Sequence, residues 1–305
     1  MIGQLFIDGL DAYQQYGVFI TLGGYDGLMS YPSLKPVDIN NWPDEDGVEA
    51  DLSDPKLDIK EFSISFSTAG RFSNVGGFIR KISDGAYHTF DFSEVGIIRS
   101  LRLVSNPDYS ELSNLKIFSL QLADDFPLQD YVYAAPNKNE PSDGFVLDEV
   151  DMSIYGVRIL DGLEAISKTP AVKKNLLTNI DNENGATYDG QKVVFEAKDV
   201  TLNCFYNGSL TDFWHNYNAL LYDLVRPYER ILAVSATGYQ YPCYYKSCAV
   251  KRFELIGEKV WCDFDINLVF TTVIIDETEY LLATEDGEFI VTEDDELIDL
   301  NYDIS

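Results

Sequence analysis

The chain is poor in histidine, cysteine and basic residues: two histidines, four cysteines and 22 Lys or Arg stand against 51 acidic side chains. The resulting formal charge of −29 leaves no basic surface for phosphates, which argues against specific nucleic-acid binding. No apolar run reaches the ~18 residues a spanning helix needs, so no membrane partner is expected. The opening MIGQLFIDGLDAY has neither the basic start nor the apolar stretch of a signal peptide, so secretion by that route is not expected. All four cysteines (Cys204, Cys243, Cys248, Cys262) lie in the C-terminal half, too few and too clustered for a disulfide-stapled secreted scaffold. Cys243 and Cys248 have a loose metal-like spacing. Cys204 and Cys262, however, sit in alternating strand-like runs where small buried residues belong, so reduced core thiols are expected.

Catalytic signals are also missing. His88 lies in a strand-like YHTFDF and His215 follows Trp214 in a helix-like stretch, with no nucleophile beside either. There is no G-x-S-x-G, P-loop, dinucleotide fingerprint or H-E-x-x-H. Among 51 acids no carboxylate pair stands out as a glycosidase would require. Asp44-Glu45-Asp46-Gly47 resembles a fragment of a calcium loop, but the remaining EF-hand positions do not follow. The expectation is a protein that is not an enzyme, with no catalytic residue, cofactor or metal ligand to nominate.

What the chain does have is a core: 46% of its residues are hydrophobic and 13% aromatic, and 305 residues suit two domains at roughly 100–200 residues each. Slid by 138 residues, segment 28–70 aligns without a gap on 166–208. Eight positions are identical: Pro32/Pro170, Lys35/Lys173, Asn41/Asn179, Glu45/Glu183, Gly47/Gly185, Asp51/Asp189, Lys60/Lys198 and Gly70/Gly208. The pattern says more than the count. LDIKEFSISF (57–66) and FEAKDVTLNC (195–204) both alternate with period two, slip by one residue at the Lys-acid pair, then alternate again. Period two means a half-buried strand, and the shared slip predicts a bulge or bend. Tyr16-Gly17-Val18 also recurs as Tyr155-Gly156-Val157.

A helix follows each of these strands. In the second copy Ser209 is its expected N-cap, Leu210, Phe213, Tyr217, Leu220, Leu221 and Leu224 its apolar face, and Pro227 its end. In the first copy the shorter 73–85 is weakened by Gly76-Gly77. Strand-like runs then return at His88–Phe92, Ile98–Val104 and Leu115–Leu122, and at Arg230–Val234, Tyr239–Tyr245, Ala249–Leu255 and Val260–Phe270. The expected fold is mainly β with minor α: two tandem β-sandwich or barrel units, each with one flanking helix. The expected boundaries are 1–135 and 145–276, joined by a linker at 136–144 rich in turn residues. Residues 276–305 hold twelve acids and no Lys or Arg. Within them LLATEDGE (281–288) and FIVTEDDE (289–296) repeat, which predicts an acidic β-hairpin extension over 277–305.

Tyr239, Tyr241, Tyr244 and Tyr245 form the aromatic cluster hardest to bury, a candidate for a subunit interface or for stacking on a sugar. Tandem acidic β units without catalytic motifs, the segments Tyr16-Gly17-Val18, Asp46-Gly47-Val48-Glu49-Ala50-Asp51-Leu52 and Phe62-Ser63-Ile64-Ser65-Phe66, and the closing LLATEDGEFIVTEDD together resemble bacteriophage or prophage tail proteins of the tail-tube-like fold. Distal tail, tail tube and baseplate hub components are the members concerned. The resemblance implies a virion structural protein made in the bacterial cytoplasm. It implies self-assembly into a trimeric or hexameric ring with other tail or baseplate proteins, units meeting strand edge to strand edge, and an acidic lumen that repels DNA in passage. A carbohydrate-binding or cell-surface recognition module and a glycoside hydrolase with paired carboxylates are the readings from other classes.

Overall fold

Alternating apolar residues along the predicted runs form strands with one face in the core, and the chain closes them into two curled antiparallel sheets. The structure is a computed structural model and describes residues 1–69, 73–112, 115–129, 131–174, 177–182, 184–188 and 193–274. The predicted acidic ribbon at 277–305 lies outside the described residues. The fold is mainly β and 16% helical.

The first half contains β1 (Phe6–Ile7), β2 (Leu10–Asp11), β3 (Val18–Ile20), β4 (Ile39–Asn40), β5 (Glu49–Ala50), β6 (Lys60–Ala69), β7 (His88–Phe92), β8 (Ile97–Leu112) and β9 (Leu115–Asp124). The second half repeats the series as β10 (Phe145–Leu147), β11 (Val150–Asp151), β12 (Val157–Asp161), β13 (Leu177–Asn179), β14 (Ala186–Tyr188), β15 (Lys198–Ser209), β16 (Arg230–Val234), β17 (Tyr239–Ile256) and β18 (Lys259–Phe270). The two seven-stranded sheets run β2-β1-β7-β8-β9-β6-β3 and β11-β10-β16-β17-β18-β15-β12, the same order twice. Both sheets lie within one compact unit, Met1–Val273.

The duplication reaches individual hydrogen bonds. Asp8, in the tight turn between β1 and β2, takes the Thr89 amide at 2.9 Å, and Asp148, between β10 and β11, takes the Ile231 amide at 2.9 Å. Their second oxygens face His88 and Arg230, the residues just before those amides. Asp11 caps α1 (Ala12–Tyr16), and Asp151 caps the matching 3-10 turn Met152–Tyr155. Both turns end on a left-handed glycine, Gly17 at φ 70° and Gly156 at φ 71°, a conformation glycine adopts without steric cost. The short helices α2 (Asp26–Met29) and α4 (Leu163–Ser167) also correspond.

The predicted bulge at the Lys-acid pair is not there. β6 and β15 begin at Lys60 and Lys198, and both then pair with β9 and β18 without a register shift. Upstream of the slip, Leu57 makes only an isolated bridge to Leu34, and Phe195 makes one to Val172. Each lysine turns back to a helix-end carbonyl, Lys60 to Leu28 O and Lys198 to Ile166 O. The change of phase therefore marks a strand start. Real register shifts lie in β8 (Leu103/Ser105 and Ser105/Asp108) and β17 (Tyr245/Ser247 and Val250/Arg252), and between Ile159 and Asp161 of β12. Tyr239–Tyr245 and Ala249–Leu255, expected as separate strands, are one 18-residue strand bent at those bulges.

α3 (Val75–Ile82) and α5 (Leu210–Leu224) cover the sheets. Ser209 caps α5 by accepting the Asp212 amide at 3.1 Å, as its position predicts. The buried face of α5 is Phe213, Tyr217, Leu220, Leu221 and Leu224, each side chain contributing about 1.5–3 kcal/mol when fully buried. Phe213 stacks on Tyr217 at 4.5 Å, and in the first half Phe66 stacks on Phe118 at 5.4 Å under Phe78. Two residues of the segment expected as a linker bond to α5: Asn137 donates its amide to Asn216, and Lys138 pairs with Asp212 at 2.8 Å. All four cysteines are free thiols in the core, and burial pushes Cys243 and Cys248 up to about 12.

Candidate assembly interface

The sheet edges set the problem that the site solves. The terminal strands β2, β3 and β11 are only two or three residues long and offer little backbone to a partner. The long free edges belong to inner strands. β16 pairs with β17 only over Tyr239–Cys243, and β7 pairs with β8 only over Ile97–Leu101. Beyond those points each long strand pairs, among the described residues, on one side only.

The excursion between β3 and β6, residues 21–59, crosses to the free edge of β17. This first arm contains α2 and the β4–β5 ribbon. Leu34 donates its amide to Lys246 O at 3.0 Å, where Lys246 is the unpaired residue of the first β17 bulge. Ser30 Oγ accepts the Val250 amide at 2.9 Å, and Asp26 accepts the Phe253 amide at 2.8 Å. Arm side chains thus take the place of a neighbouring strand. Leu52 packs with Tyr244 and Val269, with Leu34, Val37, Ala50 and Ala197 around them. Tyr217 donates to Met29 O at 2.9 Å, Tyr31 donates to Tyr217 O, and Tyr245 donates to Pro32 O at 2.8 Å.

The tip of the arm ends on the second arm, residues 162–197. Gly47 and Val48 donate their amides to Phe195 O and Thr271 O, both at 2.9 Å, and Asp46 accepts the Phe195 amide at 2.7 Å. At the centre is Lys173, only 3% exposed. Its ammonium donates to Trp42 O at 2.9 Å, Glu45 O at 2.7 Å and Gly47 O at 2.7 Å, so the turn closes around it as three converging carbonyls. Gly47 has φ 69°, and a Cβ there would lie 1.8 Å from Thr271 O, so only glycine fits. The Lys35/Lys173 and Gly47/Gly185 identities signal this contact in the sequence. They do not say that one copy's turn sits on the other copy's lysine.

The four tyrosines nominated from sequence do not make one exposed face. Tyr245 (1% exposed) and Tyr244 (8%) hold the first arm, on opposite faces of β17. Tyr241 is buried and stacks on Phe270 at 4.9 Å, and Tyr239, 36% exposed, packs edge-on against Tyr241. Two of the four therefore line the seam between the halves. Alternation separates them, because neighbours along a strand point to opposite sides.

Beside the seam lies a polar pocket. A cleft of about 310 Å³ is lined by Arg99, Asp124, Gln129, Tyr131 and Asn218. Arg99 pairs loosely with Asp124 at 3.5 Å. Burial, aided by Arg99 and opposed by Asp124, pushes the Lys60 ammonium down to about 7. In the turn between β1 and β2, burial opposes ionisation of Asp8, but hydrogen bonds from Lys81, His88 and the Thr89 amide hold it well below the usual carboxylate range. Among the described residues, no three His, Cys, Asp or Glu side chains converge as a metal site would require.

No protein-family model matches the chain. No curated protein matches it. Among solved structures it is similar to the Dit (gp 19.1) protein of phage SPP1, described as a paradigm of the hub adsorption apparatus in phages infecting Gram-positive bacteria. The two share 14% identity at a TM-score of 0.33, over 42% of this chain and 49% of the SPP1 protein, so the match spans about half of that protein's length.

Proposed function

We propose that the chain is a non-enzymatic structural component of a phage or prophage tail. In this reading two tail-tube-like units, 1–135 and 145–276, contribute to a ring at the tail tube or baseplate. The observation that carries it is the duplication itself: two sheets of identical strand order, joined by an arm that runs from one to the free edge of the next. A repeated unit that reaches forward to its successor is the elementary step of a closed ring, whereas a single active site gains nothing from duplication. The charge of −29 serves such a ring by repelling DNA phosphates from its lumen. Other tail or baseplate proteins are its expected partners, and the virion tail its place.

Native mass by light scattering over a range of protein concentration, with negative-stain images of the same samples, tests this. A trimer or hexamer with a central hole is expected. A monomer at every concentration would overturn the ring.

A further inference from the structure

The seam between the halves is half of a pair. Among the described residues, the helix and the two ribbon strands of the first arm recur in the second. Lys35 donates its amide to Lys56 O as Lys173 does to Val194 O, and Asp58 to Ser33 O as Glu196 does to Ala171 O. The β4–β5 ribbon (Ile39↔Ala50) matches β13–β14 (Leu177↔Tyr188) residue for residue at the 138-residue offset. What differs is occupancy. Lys173 is buried under the first arm's turn, whereas its twin Lys35 is exposed beside a surface groove of about 300 Å³ lined by Leu34, Val37, Asp51 and Pro55. Leu34 is packed against Leu52 and Tyr244, whereas its twin Val172 is 47% exposed. A Cβ built on Gly47 would collide with Thr271 O, whereas one built on its twin Gly185 would meet nothing within 4 Å among the described residues.

The receiving edge is duplicated as well. Val104 is the unpaired residue of the Leu103/Ser105 bulge in β8, the position that Lys246 holds in β17. β8 lacks a strand partner beyond Leu101 on that side among the described residues, as β17 would without the arm.

We infer that the second arm of one chain docks on the first half of another copy of the same chain, in the seat the first arm takes within the chain. The seat is specified by residue. Val172 donates its amide to Val104 O of the neighbouring copy. The carbonyls of Ile180 and Gly185, the twins of Trp42 and Gly47, take the neighbour's Lys35 ammonium, and Asn184 accepts the neighbour's Leu57 amide, as Asp46 accepts that of Phe195. The contact is head-to-tail, so it propagates from copy to copy and closes into a ring when the rotation per copy allows. This deepens the ring reading and rests on it, naming the surfaces that join the subunits.

The test mixes two variants that each carry one added cysteine, Lys35→Cys and Asn184→Cys, under a short bismaleimide, at a concentration raised until light scattering shows that the variants themselves associate, since Lys35→Cys removes the cation from its own seat. The native cysteines are buried, so background linking is low. The expected product is a covalent dimer that forms in the mixture and in neither variant alone, with peptide mapping joining positions 35 and 184. Lys35→Glu is expected to raise the concentration needed for association by at least about tenfold, because the turn carbonyls lose their cation. Association without a 35–184 link, and unmoved by Lys35→Glu, would overturn this interface while leaving the ring standing. No association at any concentration would overturn both.

Discussion

Replacing Lys173 by Met measures what the buried ammonium contributes to seating the first arm. Three charge-assisted hydrogen bonds are lost, each worth about 1.5–3 kcal/mol in isolation. Two effects oppose that sum. The ammonium no longer has to be desolvated, and a hydrophobic replacement for a buried ion can be close to neutral. The turn at Trp42–Asp46 is exposed, so water recovers part of what its carbonyls lose. Because Trp42 O, Glu45 O and Gly47 O all converge on one point, they cannot stay seated around a methyl group, and a net loss of about 2–4 kcal/mol in arm docking is expected. Hydrogen exchange at the Gly47 and Val48 amides reads it directly, since both bond across the seam and exchange only when the arm lifts. Their protection is expected to fall roughly 30- to 1,000-fold, at tenfold per ~1.4 kcal/mol. Lys35→Met, at the exposed twin, is expected to leave those amides unchanged in the monomer. If Lys173→Met also left them unchanged, the ion would be offset by its own desolvation, and the packing of Leu34 and Leu52 would be what holds the arm.

Four further outcomes are expected. Gly47→Ala should abolish protection at Val48, because its Cβ collides with Thr271 O, while Gly185→Ala should cost only the left-handed penalty of roughly 1–2 kcal/mol and leave that amide protected. Ser209→Ala should destabilise α5 by about 0.5–2 kcal/mol and lower the melting temperature, with Ser209→Asp restoring it. Tyr245→Phe strands the carbonyl of Pro32 in the seam and should cost about 1–3 kcal/mol, seen as faster exchange at Leu34; an unchanged rate would place the hydroxyl outside the arm's support. Lys60 titrates near 7 when folded and near 10.5 when unfolded, so between those values the unfolded state binds the extra proton and stability rises with pH. The melting temperature of the wild type should therefore gain on that of Lys60→Met between pH 7 and 10, and parallel curves would refute the buried-ammonium assignment.

Much of the fold was legible in the linear chain. β7, β16, β18 and the capped helix α5 follow from period-two and period-3.6 patterns, and the 138-residue offset is written in paired residues such as Lys60/Lys198. Those are local properties: a strand needs alternation, and a cap needs an oxygen three residues before an amide. The phase slip was visible too, but its meaning was not, because a bulge and a strand start disrupt alternation alike. The site was the least legible part. Lys35 and Lys173 are the same residue in the same local frame, and Tyr244 and Tyr245 look like one aromatic patch. Only the crossing of the first arm onto β17 buries Lys173 while leaving Lys35 in solvent, and puts two tyrosines to work holding that arm. Sequence determined what each unit is, since that depends on near neighbours along the chain. Tertiary structure decided which copy of each residue is occupied, since burial depends on what comes from far away to cover it.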